Sequence, residues 1–250
     1  MPRAPQTPAE YWDTYKPHRG EGPAPRPDAA VFEWTQYPGH GPGAEFLGTP
    51  LPWRALDLGP AEGAEAAHLA RQGVEVTGVD LSAVQVARAR AWWQDIPRLK
   101  FVHADAVEFL ASTSMTFDAV YSVWGAVWFT DPDRLLPLIA RRLAPGGVLA
   151  FAHAEPTGGT YGPQPMRGKW LEGREHELTV LRWQYGPEAW TDLLKRHGFT
   201  DVEASVLPSP ADEPVGTLLV RAHAAADGRA RLTASEDKGL RFCGSRSSTS

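Results

Sequence analysis

Between residues 53 and 222 short apolar runs alternate with segments whose apolar positions recur every three or four residues. WRALDL (53–58) reads as a buried strand. AEAAHLARQ (64–72) reads as a helix with Ala66, Ala67, Leu69 and Ala70 on its apolar face and Gly73 placed to end it. VEVTGVD (74–80), LKFVHAD (99–105), FDAVYSV (117–123) and VLAFAHA (148–154) predict four more strands. Between them, Ser82 is placed to cap AVQVARARAWW, AVEFL is a short helix, and Asp131 is placed to cap a helix over 132–143. A helix over PEAWTDLLKRH, stopped by Gly198, and strands over FTDVEASVL and GTLLVRAH complete the pattern. Strands alternating with helices predict an α/β, doubly wound, mostly parallel sheet with helices on both faces. Such a sheet binds ligands beyond the carboxyl ends of its strands.

The flanks differ in texture. Residues 1–52 are rich in Pro, Gly and aromatics and read as a cover over a site, with the first ten frayed; 53–222 form the ligand-binding domain. Residues 223–250 lose apolar periodicity and read as a disordered tail. The formal charge of −5 argues against a phosphate-backbone partner, so nucleic acid is not the expected ligand. The single cysteine, Cys243, allows neither an intrachain disulfide nor a cysteine-based metal site, and no metal is expected. With no signal-peptide pattern and no apolar run of spanning length, the expected setting is the cytoplasm, away from membranes.

Four short motifs fall at the ends of successive strands. Asp57-Leu58-Gly59-Pro60-Ala61-Glu62-Gly63 ends the first strand and opens a helix, where glycine permits a tight turn and close approach of a ligand. The phosphate-loop lysine and the third dinucleotide glycine are absent, which argues against triphosphates and nicotinamide dinucleotides. Asp80 in GVDLS stands where an ionised carboxylate accepts from two ribose hydroxyls, although capping the next helix is its alternative role. Asp105 in HADA suits an adenine amino group, an N-cap, or both. The fourth is FDAVYSVW (117–124), followed by LAPGGVL (143–149).

In this order and spacing, ALDLGPAEG, GVDLS, HADA, FDAVYS and LAPGGVL resemble the class I S-adenosylmethionine (SAM)-dependent methyltransferases over residues 53–222. The resemblance implies a seven-stranded sheet in order 3-2-1-4-5-7-6 with strand 7 antiparallel, and SAM as cofactor. It implies that Asp57, Gly59, Pro60, Ala61 and Gly63 cradle the methionine part, and that Asp80 and Leu81 hold the ribose. Asp105 and Ala106 would touch adenine, with Val123 and Trp124 near the amino-acid end. Ala61 departs from the usual middle glycine, and Pro60 removes one N–H donor.

A small-molecule acceptor is the expected partner. Tyr11, Trp12, Trp34, Tyr37 and Trp128 are candidates to line its pocket, against the alternative that they pack a core. His153, closing FAHA at the ligand-facing edge, is the candidate general base; its alternative is a histidine bonded to nearby backbone. Residues 156–186 read as an irregular insert that shapes access. Competing readings are a nucleic-acid or protein methyltransferase and a non-catalytic partner protein. The Asn/Asp-Pro-Pro-aromatic motif of base-amino methylation is missing after strand 4, which reads Ser122-Val123-Trp124-Gly125.

Overall fold

The computed structural model describes residues 7–15, 26–156, 162–166, 180–211 and 213–226. The strands of the main sheet are β1 (Arg54–Leu58), β2 (Glu75–Asp80), β3 (Leu99–His103), β4 (Phe117–Val123), β5 (Leu143–Ala154), β8 (Phe199–Leu207) and β9 (Thr217–Ala224). They lie in the order β3-β2-β1-β4-β5-β9-β8. β1 to β5 run parallel and β9 runs antiparallel between β5 and β8. This is the expected seven-strand order, with two additional strands, β6 (Gly162–Met166) and β7 (Val180–Gln184), forming a separate antiparallel hairpin.

Helices cover both faces because the central strands are apolar on both. Helices α2 (Ala64–Arg71) and α3 (Ala83–Trp92) cover one face, sharing a cluster with Ala55, Val76 and Phe101. On the other, α4 (Ala106–Ser112), α6 (Pro132–Arg142) and α7 (Pro187–Arg196) pack against Leu56, Leu58, Val120, Leu149 and Val220. The starts are set by local chemistry. Ser82 Oγ accepts from Gln85 N–H, and Asp105 and Asp131 each accept from the first turn of α4 and α6. Pro132 and Pro187 occupy first-turn positions, where a missing N–H costs nothing.

Residues 26–52 pack onto the sheet. Phe32, Trp34 and Leu47 are buried in the same cluster as Ala119, Tyr121, Ala150, Ala152 and Leu219. Where α2 and α3 cover β1 to β3, this irregular stretch covers β4, β5 and β9. The small side chains of Ala119, Ala150 and Ala152 leave room for the rings. Trp34 Nε1–H donates to Gly43 O at 3.0 Å, so the indole is both buried and satisfied. At the other end, β9 carries residues 223 and 224, with His223 facing Val148, so the sheet reaches past the expected start of the tail. Residues 227–250 lie outside the described residues.

The N-terminal helix α1 (Pro8–Asp13) is capped by Thr7 and anchored by its last residue. Asp13 Oδ1 accepts from Ser82 Oγ–H at 2.6 Å and from Val84 N–H at 3.2 Å, so it caps α3 from outside. Gln85 Nε2 donates to Tyr15 O at 3.0 Å. Asp13→Ala should therefore cost about 1 kcal/mol of stability, as for other N-cap losses. It should also speed amide hydrogen exchange in residues 8–13, and unchanged exchange there would show that the anchor lies elsewhere.

Candidate active site

Three turns meet at the carboxyl end of β1, β2 and β4. Gly59 takes φ +82°, and a Cβ there would lie 2.5 Å from Ala126 N. A Cβ at Gly125 would collide with Leu58 O. The two turns are thus pressed backbone against backbone, which only glycine at both positions allows. Ala61 also has positive φ, 47°. A β-carbon in this region costs roughly 1–2 kcal/mol, and the compensating contact is visible. Ala61 N–H donates to Asp80 Oδ2 at 3.0 Å, while Ser82 N–H donates to Asp80 Oδ1 at 2.8 Å. Asp80 therefore bounds the α3 turn and clamps the glycine turn at once. Pro60 is buried, and its carbonyl accepts from Gly63 N–H.

The field at this junction is negative. Burial first, then the charges of Glu65 and Asp80, push the Asp57 carboxyl well above its usual range; Tyr121 opposes them. Burial also raises Asp80. The Ser82 and Ala61 N–H groups oppose that shift, as does His103, while the Asp13 charge adds to it. Glu65 sits in the first turn of α2, and Glu62 is buried immediately before that helix. Asp105 spends Oδ1 on Val107 and Glu108 N–H at the start of α4, with Ala106 buried behind it. Leu81 is half-buried, and its carbonyl faces His103 Nε2.

Beyond β4 the chain turns through Trp124, at φ 52°, into the one-turn helix α5 (Ala126–Phe129). Trp124 Nε1–H donates to Trp34 O at 3.0 Å, and its ring meets Trp128 edge-on with centroids 5.7 Å apart. Val123, beside it, is half-buried. Trp12 of α1 meets Phe129 of α5 at 4.7 Å, and Tyr11 is buried with Val180 of β7. Tyr11, Trp12, Trp124 and Trp128 thus gather where α1, α5 and the hairpin converge. Two aromatic candidates fall outside this group. Trp34 lies in the core, as its burial and its bond to Gly43 require, and Tyr37 is a strut whose hydroxyl donates to Val215 O at 2.7 Å.

His153 has the bonded surroundings weighed as its alternative to a base. It is fully buried, stacked on Trp128 with centroids 5.1 Å apart and planes 4° from parallel. Trp190 Nε1–H donates to Nε2 at 3.2 Å, which leaves Nδ1 to carry the proton toward Ala154 O at 2.7 Å. Both nitrogens are occupied, and burial pulls the pKa down to about 4. The signal missed in the sequence is Trp190, 37 residues away, which supplies the second bond. Another histidine, His40, bonds Pro208 O at 2.8 Å.

The hairpin supplies a residue that the sequence did not single out. Arg182 of β7 lies over the Trp128 ring, 5.3 Å from its centroid. Its Nε is buried without an acceptor, as is Trp128 Nε1. Among the described residues no helix is long and apolar enough to cross a membrane, and no group of three or more His, Cys, Asp or Glu is placed to hold a metal. A cavity of about 330 Å³ between Phe32, Ala44 and His68 shares no lining residue with the site.

His153 gives a signed pH dependence. Its folded pKa of about 4 lies below the ordinary 6.5, so between these values the unfolded chain binds the extra proton. Stability from this group is full above pH 6.5 and falls on acidification toward pH 4, by up to roughly 3 kcal/mol. Denaturant titrations of His153→Gln should show a flatter pH dependence in that window; an unchanged slope would contradict the burial assigned to the ring.

Residues 56–151 match the family model described as a methyltransferase domain. The chain is 36% identical over 164 residues to the trans-aconitate 2-methyltransferase of Methylobacterium radiotolerans, covering 61% of this chain and 61% of that protein. It is 38% identical over 99 residues to the enzyme of that name from Deinococcus radiodurans, covering 39% of this chain and 36% of that one. The matched part spans less than two thirds of these curated relatives' own lengths. Among solved structures, the N-terminal domain of EvdMO1 with S-adenosylhomocysteine (SAH) bound aligns with a TM-score of 0.53 and 26% identity, over 72% of this chain and 77% of that one. The sheet order and the match laid over β1 to β5 make this chain similar, over residues 56–151, to a methyltransferase domain, and similar in fold to a domain solved with SAH bound.

Proposed function

We propose that the chain transfers a methyl group from SAM to a small-molecule acceptor. The observation that carries this reading is the acidic cradle in which Asp80 grips the glycine turn, with Asp13, Asp57, Glu62 and Glu65 around it. A dinucleotide would lay its pyrophosphate at the start of α2. That start is flanked by Glu62 and Glu65, which disfavour a pyrophosphate and favour a ligand with positive charge. The residues fit SAM, whose sulfonium and α-ammonium are cationic.

SAM supplies an electrophilic methyl group. On this reading Asp80 accepts from the ribose hydroxyls with the lone pairs that Ala61 and Ser82 leave open. Gly59 and Gly63 let the backbone approach the methionine part, and Asp105 has Oδ2 left over from capping for adenine. Ala61 keeps its N–H as a donor to Asp80, so losing the middle glycine does not cost the clamp. Trp12, Trp124 and Phe129 exclude water and present ring faces to a cation, worth ~0.5–2 kcal/mol each. With His153 occupied on both nitrogens, the chain's contribution is positioning. An acceptor that is nucleophilic without giving His153 a proton fits that arrangement. The relatives named for trans-aconitate support a small-molecule acceptor of this kind.

Incubation with methyl-labelled SAM and a panel of small acids, phenols and amines should yield acceptor-dependent label transfer and SAH. Asp80→Asn should weaken SAH binding by about 1.5–3 kcal/mol, roughly 10- to 100-fold, as expected for a hydrogen bond to a charged group. A folded variant with unchanged SAH affinity, or no transfer to any panel member, would argue against the assignment.

A further inference from the structure

The hairpin β6–β7 turns one face toward the site. On β7, Val180, Arg182 and Gln184 alternate with the outward Leu181 and Trp183, and Val180 packs on the buried Tyr11. Arg182 lies next on that face, over Trp128, which stacks on His153 at the end of β5. The guanidinium therefore lies beside the carboxyl edge of the parallel strands over an aromatic ring, with no ion pair among the described residues.

Its hydrogen bonding is incomplete. No carboxylate or carbonyl among the described residues accepts from Arg182, and its Nε is buried. The neighbouring Trp128 Nε1–H is also buried without an acceptor. Two buried donors on contacting side chains, one on a cation, each forgo a hydrogen bond worth about 1–3 kcal/mol. Gln184, also buried, has Oε1 unmatched and adds one acceptor to the pair of donors. Protein interiors leave few such groups open, and a water, an ion or a ligand group that accepts would complete them. A planar fork of guanidinium donors matches a carboxylate better than any neutral group.

We infer that the acceptor is a small carboxylic acid and that Arg182, with Trp128 Nε1–H beside it, holds one of its carboxylates. This rests on the methyltransferase reading for the word acceptor, but the binding claim stands on the hairpin alone. Arg182 is then a specificity-determining residue. It selects anionic acceptors and carries no part of the cofactor, which the acidic turn on the far side of α5 would hold. The two charge patterns divide the site, acidic toward the cofactor and basic toward the acceptor.

The test is calorimetric titration of the full chain with succinate, trans-aconitate and benzoate, each paired with its primary amide, with and without saturating SAH. At least one acid should bind tenfold or more tightly than its amide. Arg182→Met, which keeps the stem on Trp128, should abolish that preference while leaving SAH affinity unchanged; Arg182→Lys should retain part of it. Arg182→Gln serves as a second neutral variant should the Met variant fail to fold. The inference is overturned if no acid binds, if amides bind as well as acids, or if the preference survives neutralisation of Arg182. An acid preference without SAH binding would instead defeat the cofactor reading alone.

Discussion

The buried carboxylate of Asp80 is the constraint from which the site follows. It ends β2, and its two oxygens accept from Ala61 and Ser82 N–H, locking the turn after β1 to the turn after β2. Burying an ionised group is expensive unless it is hydrogen-bonded, and here the partners are backbone donors that the neighbouring helices leave free at their starts. Ser82, held in place by this contact, caps α3 and donates its hydroxyl hydrogen bond to Asp13, which docks α1. One side chain thus connects the glycine turn, two helix starts and the N-terminal helix above them. The cluster of acids this creates costs stability through mutual repulsion, and a cationic ligand would relieve it.

A second layer stands on β4 and β5. Trp190 and the Ala154 carbonyl fix the His153 ring, His153 supports Trp128, and Trp128 supports Arg182. Each group limits the freedom of the next, so little side-chain entropy remains to be lost on binding. The positive φ of Trp124 lets β4 turn at once into α5 and brings this stack to the strand ends.

The sheet was legible because each parallel strand is an apolar run closed by a turn residue, and each helix carries a cap at its start. Ser82, Asp105 and Asp131 all cap where expected, and the capping by Asp105 uses a single carboxylate oxygen. The hairpin was not legible. β6 reads Gly-Pro-Gln-Pro-Met, and two prolines within five residues suppress any strand signal outside an isolated pair. α1 and α5 are too short for periodicity to register. The aromatics of residues 1–52 announced packing but not its partner. Trp12 packs on Phe129 of α5 and Trp34 in the core, because Ala119, Ala150 and Ala152 leave space that only tertiary structure reveals. His153 stood at the predicted edge, yet its environment was set by the distant Trp190.

Charge at the start of α2 separates this cradle from a dinucleotide site of the same topology, and it is the most direct point of attack. Calorimetric titration of the purified chain with SAH and, in parallel, with NAD reads it without an acceptor. The account predicts saturable one-to-one binding of SAH and none of NAD, with SAH affinity weakening little at high salt because the contacts are buried. Binding of NAD with SAH excluded would contradict the acidic cradle and the methyl-transfer reading built on it.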